Sequence, residues 1–367
     1  MSTPVKKALT LLDGAEEKIK KARLLIGLDG FVDSIIRVVD KRHSGESFDP
    51  IHTIDAFSKR VAKAAGRSAN LETVVERQKL GGNGPIMASA LVAYGAKVRY
   101  IGNLGHPKIH PVFAEFAKKC DAISVAEPSY TDALEFDDGK LMLTKPSALL
   151  DLTWKNLKQK VGGDKLLKYF QEADFIALNN WTQIPFMSEI WVEIQKDIAP
   201  KLTGEKRTIF FDLSDPEKRT PEDVKAGMEL ISGFERHFHA ILGLNESEAR
   251  QIAEVLGIAR AGKGAGLAEL AAQIRERLKI SVVVIHPREY AVAADPDGET
   301  LVDGPFCAKP LISTGAGDHF NAGFLLGRIL GGDLDAALQI GVATSGFYVR
   351  TAKSPALADL RKFLKEL

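Results

Sequence analysis

From residue 175 onward the chain alternates short apolar runs with longer amphipathic ones, and this rhythm constrains the fold more than any other feature of the sequence. Residues 175–179, 208–212 and 240–244 read as strands, 185–198 and 221–237 as helices between them, and 246–256 as the helix that follows. Consecutive strands joined by helices require a parallel sheet, because a parallel pair needs a crossover long enough to return the chain to its starting edge. Both faces of such a sheet are then covered, which is why the strand 281–285, SVVVI, is uninterrupted by charge. The first strand is expected at 22–28, a helix at 54–65, and further strands at 71–78 and 97–102. Residues 122–126, 133–136 and 141–144 are short β segments without helices between them, the last two joined across Asp137, Asp138 and Gly139. They predict a small sheet projecting from the main one.

With 367 residues and 45% hydrophobic content, one large α/β domain spanning 1–367 can bury a full core. Lys and Arg total 49 against 48 for Asp and Glu, so no net field recruits nucleic acid or a membrane surface. The N-terminal residues carry charges throughout, without the apolar stretch of a signal peptide, and a cytoplasmic location is expected. The two cysteines, Cys120 and Cys307, are far apart in sequence and are read as small hydrophobic residues.

Chemistry concentrates in two glycine turns. In 311–330 the residues Thr314, Gly315, Ala316 and Gly317 are followed by Asp318 and then by an apolar helical pattern. A turn feeding a helix presents backbone N–H groups with no internal partner at the positive end of the helix dipole. This is a phosphate cradle, and a carboxylate at its rim suggests proton abstraction during phosphoryl transfer; read alone, Asp318 is equally a helix N-cap. The second turn, Gly81, Gly82, Asn83 and Gly84, precedes Pro85 and a helix to about residue 95. Asn83 suits a sugar hydroxyl or simply a residue tolerating positive φ. Asp33, among apolar neighbours, is either the outward residue of a half-buried strand or an acceptor for a substrate hydroxyl. Asp212 to Asp215, DLSD, is a strand-end cap or a second carboxylate turn facing phosphates. The run Gly257 to Lys263 is not a P-loop, since Gly264 stands where Ser or Thr is needed. The pairs His106/His110 and His237/His239 lack acidic or thiol companions for a metal.

The run Thr314-Gly315-Ala316-Gly317-Asp318-x-Phe320-Asn321-Ala322-Gly323-Phe324, the Gly81-Gly82 turn and Asn245-x-x-Glu248 together resemble the ribokinase or PfkB family of carbohydrate kinases. The resemblance implies a doubly wound α/β domain with a small β-sheet lid, from segments near 31–40, 71–78 and 122–145, and an ATP- and Mg2+-dependent transfer to a hydroxyl of a small sugar. It implies Asp318 as base, Gly315, Ala316 and Gly317 as anion hole, and Asp33, Gly81, Gly82 and Asn83 as acceptor contacts. Thr314, His286, Asn245 and Glu248 then lie on the nucleotide side, with Glu248 toward the metal. A homodimer through the lid is expected, and no nucleic-acid or membrane partner. Three departures stand out: Ile86 occupies the place of the usual Asn, Ile285 to Tyr290 replaces the usual Thr-x-Gly-x-x-Gly, and Ile312 replaces an Asp associated with a monovalent cation. Arg99, Lys140 and Lys145 are candidate clamps for an anionic acceptor. The competing readings are a non-catalytic binding or regulatory protein on the same fold and, within kinases, a nucleoside acceptor; Tyr130 and Phe136 give little aromatic surface for a base.

Overall fold

The structure is a computed structural model that describes residues 1–259 and 262–367. In chain order its strands are β1 (Arg23–Leu28), β2 (Phe31–Arg42), β3 (Phe48–Pro50), β4 (Thr73–Gly81), β5 (Lys97–Gly102), β6 (Asp121–Ser124), β7 (Ser129–Phe136), β8 (Gly139–Lys145), β9 (Phe175–Asn179), β10 (Arg207–Asp212), β11 (Phe238–Leu244), β12 (Val282–Ile285), β13 (Tyr290–Asp295) and β14 (Gly298–Asp303). Among the described residues nine of these form one sheet in the order β14-β13-β12-β11-β10-β9-β1-β5-β6. It is parallel from β12 to β6, and a hairpin turning between Asp295 and Gly298 adds the antiparallel edge.

The strand order reverses at β1. The chain first winds outward through β5 and β6, then returns to lay β9 on the other side of β1 and proceeds through β10, β11 and β12. In open parallel sheets ligands bind outside the strand carboxyl ends at such a reversal. Alternate residues of each strand feed two cores. Leu24, Ile26 and Ala177 face a layer built on the helices Asn83–Ala93, Ala316–Ile329 and Leu334–Thr351, while Leu25, Ile176 and Leu178 face the helices between Trp154 and Leu278.

The second sheet carries β2 at its centre, antiparallel to β4, parallel to β7, with β8 beyond β7 and β3 against the far end of β2. Its own small core joins Ile36, Val38, Leu134 and Phe136 to Ile54 and Phe57 of the helix Ile54–Ala62. Because only two residues, Asp29 and Gly30, separate β1 from β2, the small sheet is anchored at the point of reversal.

Three sequence expectations change here. Residues 121–124, grouped by pattern with the small sheet, are the edge strand of the large one, paired in parallel with β5. The chain passes between sheets in the few residues before Ser129, too short a link for periodicity to reveal. The segment 146–174, left without elements by the sequence, holds the helices Trp154–Val161 and Gly163–Glu172. The strand expected at 71–78 runs to Gly81, directly into the glycine turn. Two residues of the P-loop-like run, Arg260 and Ala261, lie outside the described residues. Cys120 and Cys307 are free and half-buried, and among the described residues no helix is long and apolar enough to cross a membrane.

Candidate active site

Asp29, the first residue after β1, organises the site, and the sequence reading gave it no role. It is fully buried, and its carboxylate accepts the N–H groups of Asn83 and Gly84 at 2.9 Å each and Asn180 Nδ2 at 2.8 Å. One carboxylate thus joins the end of β1, the start of the helix Asn83–Ala93 and the end of β9, supplying a cap that this helix cannot take from Gly82, its N-cap. Burial pushes the Asp29 carboxyl up to about 6, against the opposing pull of those hydrogen bonds.

The two glycine turns meet at one bond. Asn83 Nδ2 donates to Asp318 Oδ1 at 3.0 Å. Asn83 is the first helical residue and the positive φ belongs to Gly82, at 98°, so the alternative of an Asn merely tolerating that region is excluded. Asp318 is likewise no N-cap: the cap is Gly315, at φ 89°, and Asp318 is the third residue of the helix Ala316–Ile329. In the turn the Ala316 N–H is taken by Ser313 O at 3.1 Å, whereas those of Gly317 and Asp318 bond to no backbone acceptor among the described residues. Of the three residues read as an anion hole, Ala316 thus has its N–H engaged, while that of Gly317 stays free together with that of the adjacent Asp318. His286 stands beside Gly317 and rests on Phe320, ring centroids 4.7 Å apart, and its apolar surroundings depress its pKa.

Asp33 lies on β2 in register with Lys79 of β4 and Thr131 of β7, and it is buried. Burial raises its pKa, opposed first by Lys79 and then by a Thr131 hydrogen bond. Gly81 is required here, since a Cβ would sit 2.4 Å from Asp33 Oδ1. The Tyr348 phenol is raised to about 12 by burial and then by the charges of Asp318 and Asp33.

Asp212 and Glu248 are close enough to Asp318 for their charges to act on it. Asp212 accepts Asn321 Nδ2 at 2.7 Å and Ser214 Oγ at 3.2 Å, and burial followed by Glu248 pushes it up to about 7. Asn245 and Glu248 form a capping box. Asn245 Oδ1 accepts the Glu248 N–H at 2.9 Å, while Glu248 Oε2 and Oε1 accept the N–H groups of Asn245 and Asp215 at 2.8 Å each. Asp318 is held well above the usual carboxylate range by burial and then by Asp212 and Asp29. The buried acids thus repel one another, and the Oδ1 atoms of Asn179, Asn180 and Asn321 have no hydrogen-bond partner among the described residues.

A cavity of about 470 Å³ opens beside the turn, between the 304–313 loop and the helix Leu334–Thr351. Pro305, Phe306, Val342, Val349 and Tyr290 supply apolar walls, with Ser345, His286 and Arg288 as polar groups. Only His286 among these was marked by sequence. Val342, Ser345, Gly346 and Val349 share one helix face, a pattern visible in sequence but indistinguishable there from an ordinary core face. The basic candidates are elsewhere engaged. Arg99 pairs with Asp121 and Glu172 in the amino-terminal half of β5, Lys140 with Glu135, and Lys145 with Asp132.

A family model for prokaryotic ketohexokinases matches residues 6–367. The chain belongs to that family. It is also 31% identical over 363 residues to the ketohexokinase of Haloferax volcanii, covering 98% of this chain and 96% of that one. The fold is that of the nucleoside kinase of Methanocaldococcus jannaschii, with a TM-score of 0.63 and 15% identity over 95% of this chain and 99% of that one. Ribokinase of Thermotoga maritima is equally similar, with a TM-score of 0.62 and 18% identity over 94% and 99%. The protein is an ATP-dependent carbohydrate kinase on a ribokinase-type fold, as the sequence resemblance implied.

The kinase's acid cluster has a measurable cost. Burial pushes the Asp29 and Asp212 carboxyls up from the ordinary 3.8 to about 6 and about 7, so the folded state holds extra protons between these limits. Their contribution to stability is present below the ordinary value and is lost as pH rises toward 7. Thermal unfolding of the ligand-free protein between pH 4 and 8 should show this loss, and Asp212→Asn should flatten it. Parallel curves for the two proteins would remove Asp212 from the cluster's energetics.

Proposed function

We propose that this kinase transfers the γ-phosphoryl group of ATP to a hydroxyl of a ketohexose, with Asp318 as general base. The observation that carries the reading is the Asn83–Asp318 hydrogen bond, which brings the carboxylate to the acceptor side of the cleft while the amides of Gly317 and Asp318 stay free. Asn83 holds Oδ1, leaving Oδ2 for the proton. The sugar oxygen attacks phosphorus as its O–H proton passes to Asp318, and ADP departs with the electron pair of the broken P–O bond. The amides at the helix start meet the charge on the transferred group, and the raised pKa of Asp318 suits a base.

In this reading Asp33 and the backbone of Gly81 and Gly82 receive the sugar hydroxyls, and the base and ribose of ATP occupy the 470 Å³ cavity near His286 and Thr314. A neutral acceptor is favoured because Lys140 and Lys145 are in ion pairs and Lys79 stands opposite Asp33, so charge on the acceptor floor is already matched. An ADP-release screen over ketohexoses, aldoses, sugar acids, sugar phosphates and nucleosides tests this. D-fructose or another ketohexose should give the highest kcat/KM, and a preference for nucleosides or for anionic sugars would overturn it.

Mg2+ fits the donor set. Asp212, Asn321 Oδ1 and Glu248 offer only oxygen to a hard cation, beside acids that lack a cationic partner in their hydrogen bonds. Among the described residues no three acidic, imidazole or thiol groups form a ready metal site, and both Glu248 oxygens are occupied by amides, so the ion would be held largely through water and nucleotide oxygens. When bound, it would neutralise phosphate charge. Glu248→Gln should raise the Mg2+ concentration for half-maximal rate and lower stability by about 1 kcal/mol through the weakened cap. An unchanged Mg2+ dependence would take Glu248 out of the site.

The same reading makes the small sheet a lid and a dimer contact, with Val75, Met142 and Leu143 exposed on it. Sedimentation should show a dimer that Leu143→Glu weakens. A monomer at all concentrations would refute the contact.

A further inference from the structure

We propose that His319 is a positioning residue for phosphoryl transfer: its imidazole, backed by Tyr348, holds the carbonyls of Thr314 and Gly315 so that the amides of Gly317 and Asp318 keep facing the transferred phosphate. The inference rests on the reading of this turn as the phosphate cradle.

The geometry is a clamp on both carbonyls. His319 Nδ1 donates to Gly315 O at 2.7 Å, and the His319 backbone N–H donates to the same oxygen at 3.1 Å. Tyr348 donates its hydroxyl proton to Thr314 O at 2.9 Å. The two rings stack with centroids 3.6 Å apart and planes 13° from parallel, so each hydrogen bond is braced by the other's ring. The tautomer follows from chemistry: a carbonyl can only accept, so Nδ1 carries the proton and Nε2 accepts from Ser354 Oγ at 2.9 Å. Burial keeps the ring neutral by pushing its pKa down to about 4.

A glycine-rich turn needs such a brace. Gly315 at φ 89° has no side chain of its own to fix the peptide planes on either side. The Thr314 carbonyl shares its peptide plane with the Gly315 N–H and the Gly315 carbonyl shares its plane with the Ala316 N–H, so restraining the two carbonyls fixes the turn from which the helix start, with the amides of Gly317 and Asp318, projects. A positioning error of about 1 Å costs up to a hundredfold in rate. The clamp arrives from two directions, one residue inside the same helix and one from the helix Leu334–Thr351, and the Ser354 hydroxyl closes it from beyond that helix.

Three variants test the assignment. His319→Phe keeps the stack on Tyr348 and deletes both side-chain hydrogen bonds, His319→Asn keeps a donor at about the Nδ1 position, and Tyr348→Phe deletes only the bond to Thr314. His319→Phe should lower kcat about tenfold or more with the acceptor KM within about twofold, and His319→Asn should recover most of that loss. Tyr348→Phe should lower kcat in the same sense. Combining His319→Phe with Tyr348→Phe should cost less than the product of the single losses, because both groups hold one turn. ¹⁵N NMR of labelled histidine should show the His319 proton on Nδ1. Full kcat in His319→Phe, or equal losses in His319→Phe and His319→Asn, would overturn the role, as would a ring protonated on Nε2 instead of Nδ1. Asp318→Asn is measured alongside. If it retains activity, the cradle reading itself fails, and that outcome is distinct from a failure of the clamp.

Discussion

Asp318→Asn should lower kcat by about a hundredfold to ten-thousandfold, the range lost with a general base, while ATP binding persists. The substitution is nearly isosteric, and Asn83 can still donate to the remaining carbonyl oxygen. At pH 8 the same variant should be more stable to heat than the wild type, because it removes one charge from a set in which burial, Asp212 and Asp29 all raise the Asp318 pKa. Activity and stability thus move in opposite directions from a single oxygen-to-nitrogen change. The sign of the stability effect follows from linkage, since a carboxyl raised above its ordinary value destabilises the folded protein once pH forces it to ionise. Steady-state kinetics and a thermal melt on one preparation are sufficient. Retained turnover on the preferred sugar would exclude Asp318 as base, and a lower melting temperature at pH 8 would show that the acids are not in net repulsion.

Asp29→Ala should be the most damaging change outside the reacting groups. It leaves the N–H groups of Asn83 and Gly84 and the Asn180 amide without their acceptor in a fully buried place. Each hydrogen bond to a charged group contributes about 1.5–3 kcal/mol and orphaned buried donors add their own penalty, so a loss of about 3–5 kcal/mol in urea unfolding is expected. The kinetic effect comes through Asn83. With the start of its helix released, Asn83 no longer has a fixed position from which to orient Asp318. Asp29→Asn, which keeps the shape and one acceptor, should lose less stability yet still lower kcat. If Asp29→Ala folds with wild-type stability and turnover, the junction of β1, the second glycine turn and β9 is not held by this carboxylate.

The two halves of the active site were unequally legible. Asp318 and its glycines could be placed at a helix start because a glycine turn feeding an apolar helix has a local signature, and the Asn245 to Glu248 capping box is local too. Asp33 could be suspected because a charge interrupts an apolar strand, though its partner Lys79 lies on a strand 46 positions later, in the register of β2 and β4. Asp29 was hidden for the opposite reason. Next to a glycine at a strand end it looks like any turn residue, and its role exists only when two distant segments bring three donors to it. In the sequence Asn83 reads as a contact for a sugar hydroxyl or a residue tolerating positive φ, and its bond to Asp318 across 235 positions is not visible there.

What the sequence determined by itself was whatever depends on near neighbours along the chain: apolar runs that must be buried on both faces, the strand and helix rhythm that makes a parallel sheet, hairpin turns at Asp-Gly, and the glycine turn that feeds a helix at Gly315 to Asp318. Tertiary structure decided which strands share a sheet, as with β6, which amides in the cradle stay free, and how four acids separated by up to 289 positions, from Asp29 to Asp318, come to share one field. Local pattern reports the hydrophobic and backbone preferences of neighbouring residues. Charge repulsion and hydrogen bonding act through space, and they are fixed only when the sheet reverses its winding at β1 and gathers the strand ends together.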